Sequence, residues 1–258
     1  MNPPTSLGYR TDLMLLTLQG SLVEQRDGYL VVRTPSNPTF YWGNFLLLAA
    51  RPAPGTAAEW VRTFRREFPD AEHVALGIDS VDGDAGETAD LAAAHLTVAR
   101  NTVLTTTAVQ PPPRPNTQAT YRALSGDDDW AQALTISEPG TEISEFARAR
   151  MAGLRTLQDH GHGAWFGAFK ADQMVAGLGL FTDDNGVARY QNVDTHPSHR
   201  NQGLASTLLH HAAHHIQTHH NANHLAIVAD PTYTAINIYK TLGFTDKETQ
   251  LQLQLEPT

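Results

Sequence analysis

The stretch Q-N-V-D-T-H-P-S-H-R-N-Q-G-L-A-S-T-L-L-H-H-A-A-H-H-I, from Gln191 to Ile216, decides the fold. It opens as a short strand that breaks at Pro197. A polar loop with one glycine follows, then a long helix. At about 100° per residue, Leu204, Ala205, Leu208, Leu209, Ala212, Ala213 and Ile216 fall in one half of the helical wheel. Ser206, Thr207, His210, His214, Gln217 and Thr218 fall in the other. A loop that runs into a helix N-terminus presents free backbone N–H groups with partial positive charge, which suits an anion such as a pyrophosphate. Gly203 lets backbone approach a ligand closely, and Arg200 adds fixed charge beside it.

The segment H-P-S-H-R-N-Q-G-L-A-S-T-L-L, between an apolar strand and an amphipathic helix, resembles the acetyl-CoA loop of the GNAT N-acetyltransferases. Further on, A-I-N-I-Y-K-T-L-G-F from Ala235 to Phe244 resembles the family's second signature, a helix that carries a tyrosine and ends at Gly-Phe. The two signatures stand in the family's order and spacing. The resemblance covers roughly residues 118–258. It implies an α/β (α+β) chain with the GNAT fold, a mixed, mostly antiparallel sheet flanked by helices.

Composition narrows the chemistry. Hydrophobic residues make up 41% of the 258, enough for a globular core. No apolar run approaches the roughly 20 residues of a membrane span, and the N-terminus lacks a secretory pattern. There is no cysteine, which removes disulfides, thiolate zinc sites and a thiol nucleophile. The net charge of -9 argues against a nucleic-acid partner and favours a cationic substrate. The expectation is a cytoplasmic protein, monomeric or homodimeric, without a membrane or nucleic-acid partner.

Along the chain, residues 1–20 fit either a helix or a strand. From Ser21 the pattern is β, with strands at Tyr29–Thr34 and Thr39–Ala50. Gly55–Phe68 reads as a helix, His73–Ile78 as a strand, Ala85–Ala94 as a helix and Leu96–Thr107 as a strand. This order echoes the later half of the GNAT pattern, so residues 1–112 are expected to form a smaller, degenerate GNAT-like domain. Its counterpart of the anion loop is Ala50–Thr56, where Pro52 and Pro54 remove two N–H donors. Pro111-Pro112-Pro113-Arg114-Pro115 has the composition of a stiff linker. Residues 113–258 then read β-α-α-β-β-β-α-β-α-β. Asp127, Asp128 or Asp129 caps the first helix, a second helix spans Ser144–His160, and Thr232–Leu242 forms the last.

By the resemblance, Val193, Asp194 and Thr195 line the pantetheine arm of acetyl-CoA. Arg200, Asn201, Gln202, Gly203, Leu204, Ala205 and Ser206 wrap its pyrophosphate. Tyr239 matches the family's general acid, whose hydroxyl serves the departing thiolate. Asp194 is the first candidate for the base, with Glu142, Glu145 and His196 as alternatives. One departure is Thr232, which stands where members often carry asparagine. The implied reaction is direct acetyl transfer from acetyl-CoA to a primary amine, of a small molecule or a peptide, in a ternary complex. The alternative is a non-catalytic acyl-CoA-binding or sensor module. His210 with His214 and His211 with His215 are i, i+4 pairs able to chelate an ion, but no carboxylate lies nearby in sequence, and no metal is expected to be required.

Overall fold

The computed structural model describes residues 3–138 and 142–255. The chain divides into two compact units. The first comprises Met1–Val103, Val228–Pro231 and Lys247–Thr258, and the second Leu104–Ile227 and Thr232–Asp246. The expected division at 112/113 is therefore displaced, and the end of the chain belongs to the first unit. The reason is a strand pairing that local sequence pattern does not encode.

The first unit opens with α1 (Leu7–Leu18), which resolves the ambiguity of the N-terminal segment. The Ser6 hydroxyl accepts the Tyr9 N–H at the helix start. Strands β1 (Leu22–Arg26), β2 (Tyr29–Arg33) and β3 (Phe45–Leu48) follow as an antiparallel meander. The apolar run Thr39–Ala50 is not one strand. A 3-10 turn at Tyr41–Gly43 interrupts it, held by the Asn44 amide, which donates to the Asn37 and Phe40 carbonyls. Then come α2 (Ala57–Glu67), β4 (Val74–Ile78), α3 (Thr88–Ala93) and β5 (Thr97–Thr106). Strand β4 pairs parallel with β3, as a strand–helix–strand crossover requires. The last strand, β11 (Thr245–Leu255), pairs antiparallel with β4, placing Leu251 opposite Ile78 and Leu255 opposite Val74. The strand order in this unit is β1-β2-β3-β4-β11-β5.

Packing explains why β11 is held there. Leu251 and Leu253 are fully buried in one cluster with Tyr9, Phe45, Leu46, Leu76 and Ile78. The Tyr9 hydroxyl donates to the Leu251 carbonyl. Glu248 accepts from the Gly8 N–H and the Ser6 hydroxyl, both at 2.8 Å, and so caps α1 from the far end of the sequence.

The second unit runs β6 (Thr120–Ala123), α4 (Gly126–Ser137), α5 (Glu145–Asp159), β7 (Gly163–Lys170), β8 (Gln173–Thr182), β9 (Gly186–Thr195), α6 (Leu204–His219), β10 (Ala222–Ala229) and α7 (Ile236–Thr241). Its strand order is β10-β9-β8-β7-β6, antiparallel except for β9 with β10. This is the element order read from the sequence. Helix α7 is shorter than expected, since residues 233–235 form a turn whose carbonyls accept from residues 236–238. The N-cap of α4 is Ser125 and not one of the three aspartates; Asp129, inside the first turn, accepts the Ser125 N–H and is gripped by the Arg122 fork.

The two faces of this sheet follow from β alternation. Trp165 meets Trp130 of α4 on one side, and its neighbour Phe166 meets His211 and His215 of α6 on the other. No helix among the described residues is long and apolar enough to cross a membrane.

Leu251→Ala should remove about 2–5 kcal/mol from the first unit, the usual cost of emptying a fully buried leucine site. Urea unfolding followed by tryptophan fluorescence measures it, since Trp42 and Trp60 pack against this core. A fragment of residues 1–112 should lack cooperative unfolding, because it has no β11 to cover β4.

Candidate active site

Strands β9 and β10 run in parallel register from Ala222 opposite Gly186 to Ala226 opposite Arg189. Both strands extend beyond that point, so the end of β9 that carries Val193, Asp194 and Thr195 leaves its parallel neighbour. On its other side β9 stays paired with β8, but with a bulge. Gln191 lies opposite Gly179 and Asp194 opposite Gly177, so Asn192 and Val193 together face Leu178.

The bulge reverses the side-chain alternation. Tyr190 lies opposite Leu180 and its hydroxyl donates to the Leu209 carbonyl of α6. In an unbroken strand Asp194, four residues on, would share that face. With one extra residue inserted, Asp194 stands instead with Gln191, on the side of α4. There it accepts a hydrogen bond from the Ser137 hydroxyl at 3.1 Å. Glycines at 177 and 179 let the Trp165 indole lie on that face, since a Cβ at either would lie about 3.0 Å from it. Asn192 takes the strain with φ at +44°, a left-handed value that asparagine tolerates better than most residues.

A partly open cavity of about 120 Å³ lies between α4, α5 and this stretch of β9. Leu134, Phe146, Met151 and Leu154 form its apolar wall. Ser137, Glu138, Arg150, Asn192 and Asp194 form its polar wall. Desolvation raises the Asp194 pKa above the usual carboxylate value, and the Glu138 charge raises it further. The Ser137 hydrogen bond and the charges of Arg150 and Arg200 act the other way. Arg150 is partly exposed by area, yet its guanidinium sits deep enough in protein that desolvation lowers its pKa. It remains cationic, as arginine does throughout the ordinary pH range.

Tyr239 stands on α7, within range of the Asp194 charge though not in the cavity wall. It is buried, and its ring meets Phe244 edge-on. Desolvation, then the negative charge of Asp194, push its pKa up to about 12. Of the two residues expected to handle protons, Asp194 is thus close enough for its charge to act on the Tyr239 phenol. Glu142 and Glu145 are exposed and do not line the cavity, whereas Glu138 does. Neither Ser137, Glu138, Arg150 nor Asn192 was marked by the sequence motifs. Arg150 did carry a signal: it lies three residues after Ala147 and four before Leu154, on the buried stripe of α5 where a charge is out of place.

The loop after β9 holds a 3-10 turn at Pro197–His199, and then Asn201 and Gly203 both adopt left-handed φ values, +60° and +75°. Such alternations curl successive N–H groups toward an anion. The N–H groups of residues 201–206 donate to no acceptor among the described residues. Lys170 reaches the loop through the Gln202 side chain at 2.7 Å, and Arg200 is exposed beside it. His199 is held below its usual pKa, first by desolvation and then by Lys170 and His196.

Gly203 has a second reason to be glycine. A Cβ there would lie 2.5 Å from the Arg114 carbonyl oxygen. The linker is fastened over the helix start, where the Asn116 N–H donates to the Thr207 hydroxyl and its side chain to the Gln202 carbonyl. The expectation that Gly203 clears space for a ligand is therefore joined by a need to clear space for the chain itself.

The matching loop of the first unit is differently made. Residues 49–56 join β3 to α2, but the Thr56, Glu59 and Trp60 N–H groups bond back to Ala53 and Thr56 carbonyls. The Ala57 N–H donates to the Asp90 carboxylate at 3.1 Å. An internal anion already occupies this helix start, and Arg51 is paired with Asp84.

The histidine face of α6 is packed rather than gathered. His211 and His215 lie against Phe166, and His215 stacks on His219 with centroids 4.3 Å apart. Among the described residues no group of three or more His, Cys, Asp or Glu side chains is placed to hold a metal ion.

Comparison with known proteins agrees with this architecture. Residues 128–244 match the Acetyltransferase (GNAT) family. A GCN5-related N-acetyltransferase from Kribbella flavida superposes with a TM-score of 0.71 at 16% identity, over 98% of this chain and 97% of that one. A functionally unknown conserved protein from Staphylococcus epidermidis also gives 0.71, at 11% identity, over 93% and 95%. A tandem GNAT protein from the clavulanic acid biosynthesis pathway gives 0.56 at 13% identity, over 99% and 98%. At these identities the likeness is one of fold. No curated protein matches the chain.

Gly203→Ala should cost about 1–3 kcal/mol of stability, from a left-handed φ and the clash with the Arg114 carbonyl. Asn116→Ala should cost about 2 kcal/mol, by removing the side-chain bond to Gln202 and the two that its Oδ1 accepts from the Gln118 and Ala119 N–H groups, while leaving Gly203 unstrained. Thermal unfolding of both variants measures the two costs.

Proposed function

We propose that the chain, whose residues 128–244 match the Acetyltransferase (GNAT) family, belongs to that superfamily and transfers an acetyl group from acetyl-CoA to a primary amine in a ternary complex. The observation that carries this reading is the convergence of an open helix-start anion site, a carboxylate and a buried phenol on the separated end of β9. The residues present fit acetyl-CoA: free N–H groups and nearby cations for the pyrophosphate, and an unpaired strand edge for an amide-bearing arm. Bound there, acetyl-CoA supplies the activated acyl group.

Each residue has a defined task. Asp194, ionised, accepts a proton from the incoming ammonium, directly or through water, so that a free amine attacks. Its neighbours Glu138 and Arg150 leave the cavity with a net negative charge, which draws a cationic acceptor of small-molecule or peptide origin. Tyr239 serves the departing thiolate. At a pKa of about 12 its phenol holds its proton more tightly than a thiolate of about 8.5 would. Complete transfer is uphill by several pKa units, so Tyr239 stabilises the thiolate by donating a hydrogen bond. A sensor that binds acyl-CoA without turnover would not need this pairing of carboxylate and phenol.

Calorimetric titration with acetyl-CoA should give one site per chain, since Asp90 and the Ala53 and Thr56 carbonyls already engage the donors of the first unit's loop. Two equivalent sites would refute that assignment. Coenzyme A thiol release with a panel of small amines and peptides then separates the enzyme from the sensor, which would bind and release nothing.

The pH dependence has a definite sign. Asp194 has a raised pKa and acts as the ionised form, so activity is lost as pH falls through a value above the ordinary carboxylate range. Tyr239 acts in its protonated form and imposes no alkaline loss until pH nears about 12. Tyr239→Phe should lower kcat on the order of 10²-fold or somewhat less, with the acetyl-CoA Kd nearly unchanged. Equal losses in binding and turnover would make Tyr239 a packing residue.

A further inference from the structure

We propose that Arg150 is a positioning residue that, through Asn192, holds the bulge of β9 and so keeps Asp194 on the α4 side of the sheet. The kinetic part of this inference rests on the acetyl-transfer reading; the structural part does not.

Arg150 lies on the stripe of α5 that buries Ala147, Met151 and Leu154, where an apolar side chain would serve packing better. Desolvating a guanidinium is costly, so its presence calls for a specific use. Its Nη2 donates to the Asn192 Oδ1 at 2.6 Å, a short bond in which the donor carries charge. Asn192 is the bulge residue with φ at +44°, a conformation that persists only when the surroundings hold it. Asp194 follows two residues later, and its face depends on the extra residue in the strand. Slipping the bulge out would turn Asp194 toward the layer where Tyr190 meets Leu209, an apolar setting without the Ser137 hydroxyl.

Arg150 also acts on Asp194 by charge. The groups that face Asp194 are Ser137 and Glu138 from α4, Arg150 from α5, Arg200 from the loop and Tyr239 from α7. Arg150 and Arg200 favour its ionised form, and Glu138 opposes it. Removing Arg150 therefore loosens the bulge and raises the pH at which Asp194 titrates. A residue that merely filled space would do neither.

The test compares Arg150→Met, Arg150→Lys and Asn192→Gly in the full chain. Glycine at 192 accepts the left-handed φ without strain and deletes only the side-chain tie. The first readout is the Asp194 carboxyl, titrated by ¹³C NMR in aspartate-labelled protein without any ligand. Arg150→Met should move its midpoint upward, and Arg150→Lys should leave it close to wild type. The second readout is turnover with an amine that the wild type accepts. Arg150→Met and Asn192→Gly should lower kcat on the order of 10²-fold, the scale of an ångström misplacement, with acetyl-CoA affinity within about twofold. Arg150→Lys should recover part of the rate. Wild-type kcat and a wild-type Asp194 titration in Arg150→Met would overturn the proposal, and wild-type kcat in Asn192→Gly would overturn the link through the bulge. If the wild type turns over no amine, the acetyl-transfer reading fails by itself. The NMR titration then still decides: a midpoint raised in Asn192→Gly, which keeps the Arg150 charge, as well as in Arg150→Met sustains the inference, and an unchanged midpoint in Asn192→Gly ends it.

Discussion

An extra residue in β9 governs the candidate site. Strand geometry assigns side chains to alternate faces, and only an insertion can change the assignment without ending the strand. Asn192 and Val193 share the place opposite Leu178, so Tyr190 and Asp194, an even number of residues apart, address opposite faces, α6 and α4. The apolar helix face of α6 can therefore be served by the same strand that offers a carboxylate to a polar cavity. The glycines at 177 and 179 on the neighbouring strand make room on that face for the Trp165 indole.

The two units use one backbone device to opposite ends. In each, a strand passes through a loop into a helix and returns as a parallel strand, β3–α2–β4 in the first and β9–α6–β10 in the second. In the second unit the loop curls through Asn201 and Gly203 and its N–H groups stay open. In the first, carbonyls and the Asp90 carboxylate satisfy them. Orphan donors at a helix start must be met by something. Here a short acidic side chain from α3 does for the first unit what an external anion is positioned to do for the second. The prolines at 52 and 54 belong to the same outcome, since each removes a donor before the helix begins.

The sequence was readable wherever periodicity and punctuation coincide. The strand, loop and helix around Gly203 carry alternation, a proline, a glycine and a clear wheel, and the order of elements in the second unit followed. Tyr239 stands out in the sequence only through the resemblance of the Leu-Gly-Phe segment behind it. What remained hidden was non-local. Nothing in Gln250–Leu255 says that its partner is β4, because alternating apolar residues fit many edges equally. The bulge was hidden because an asparagine at position 192 is also an ordinary strand residue, and its φ is fixed by contacts from α5. Arg150 could have been noticed as a charge on an apolar helical stripe. Ser137 and Glu138 end α4 without any pattern that distinguishes them from a polar helix terminus.

The place of β11 has a consequence for how the chain is made. The ribosome delivers α1 through β4 early, yet the strand that covers β4 and caps α1 through Glu248 comes after every other element described. Until then Leu76 and Ile78 border an open hydrogen-bonding edge with no neighbour, the kind of surface that recruits other chains. The nascent first unit thus spends most of translation unfinished, while the local contacts of the second unit assemble as they emerge. Vectorial synthesis and native order run in opposite directions here, and a stalled or truncated product would expose its first half rather than its last.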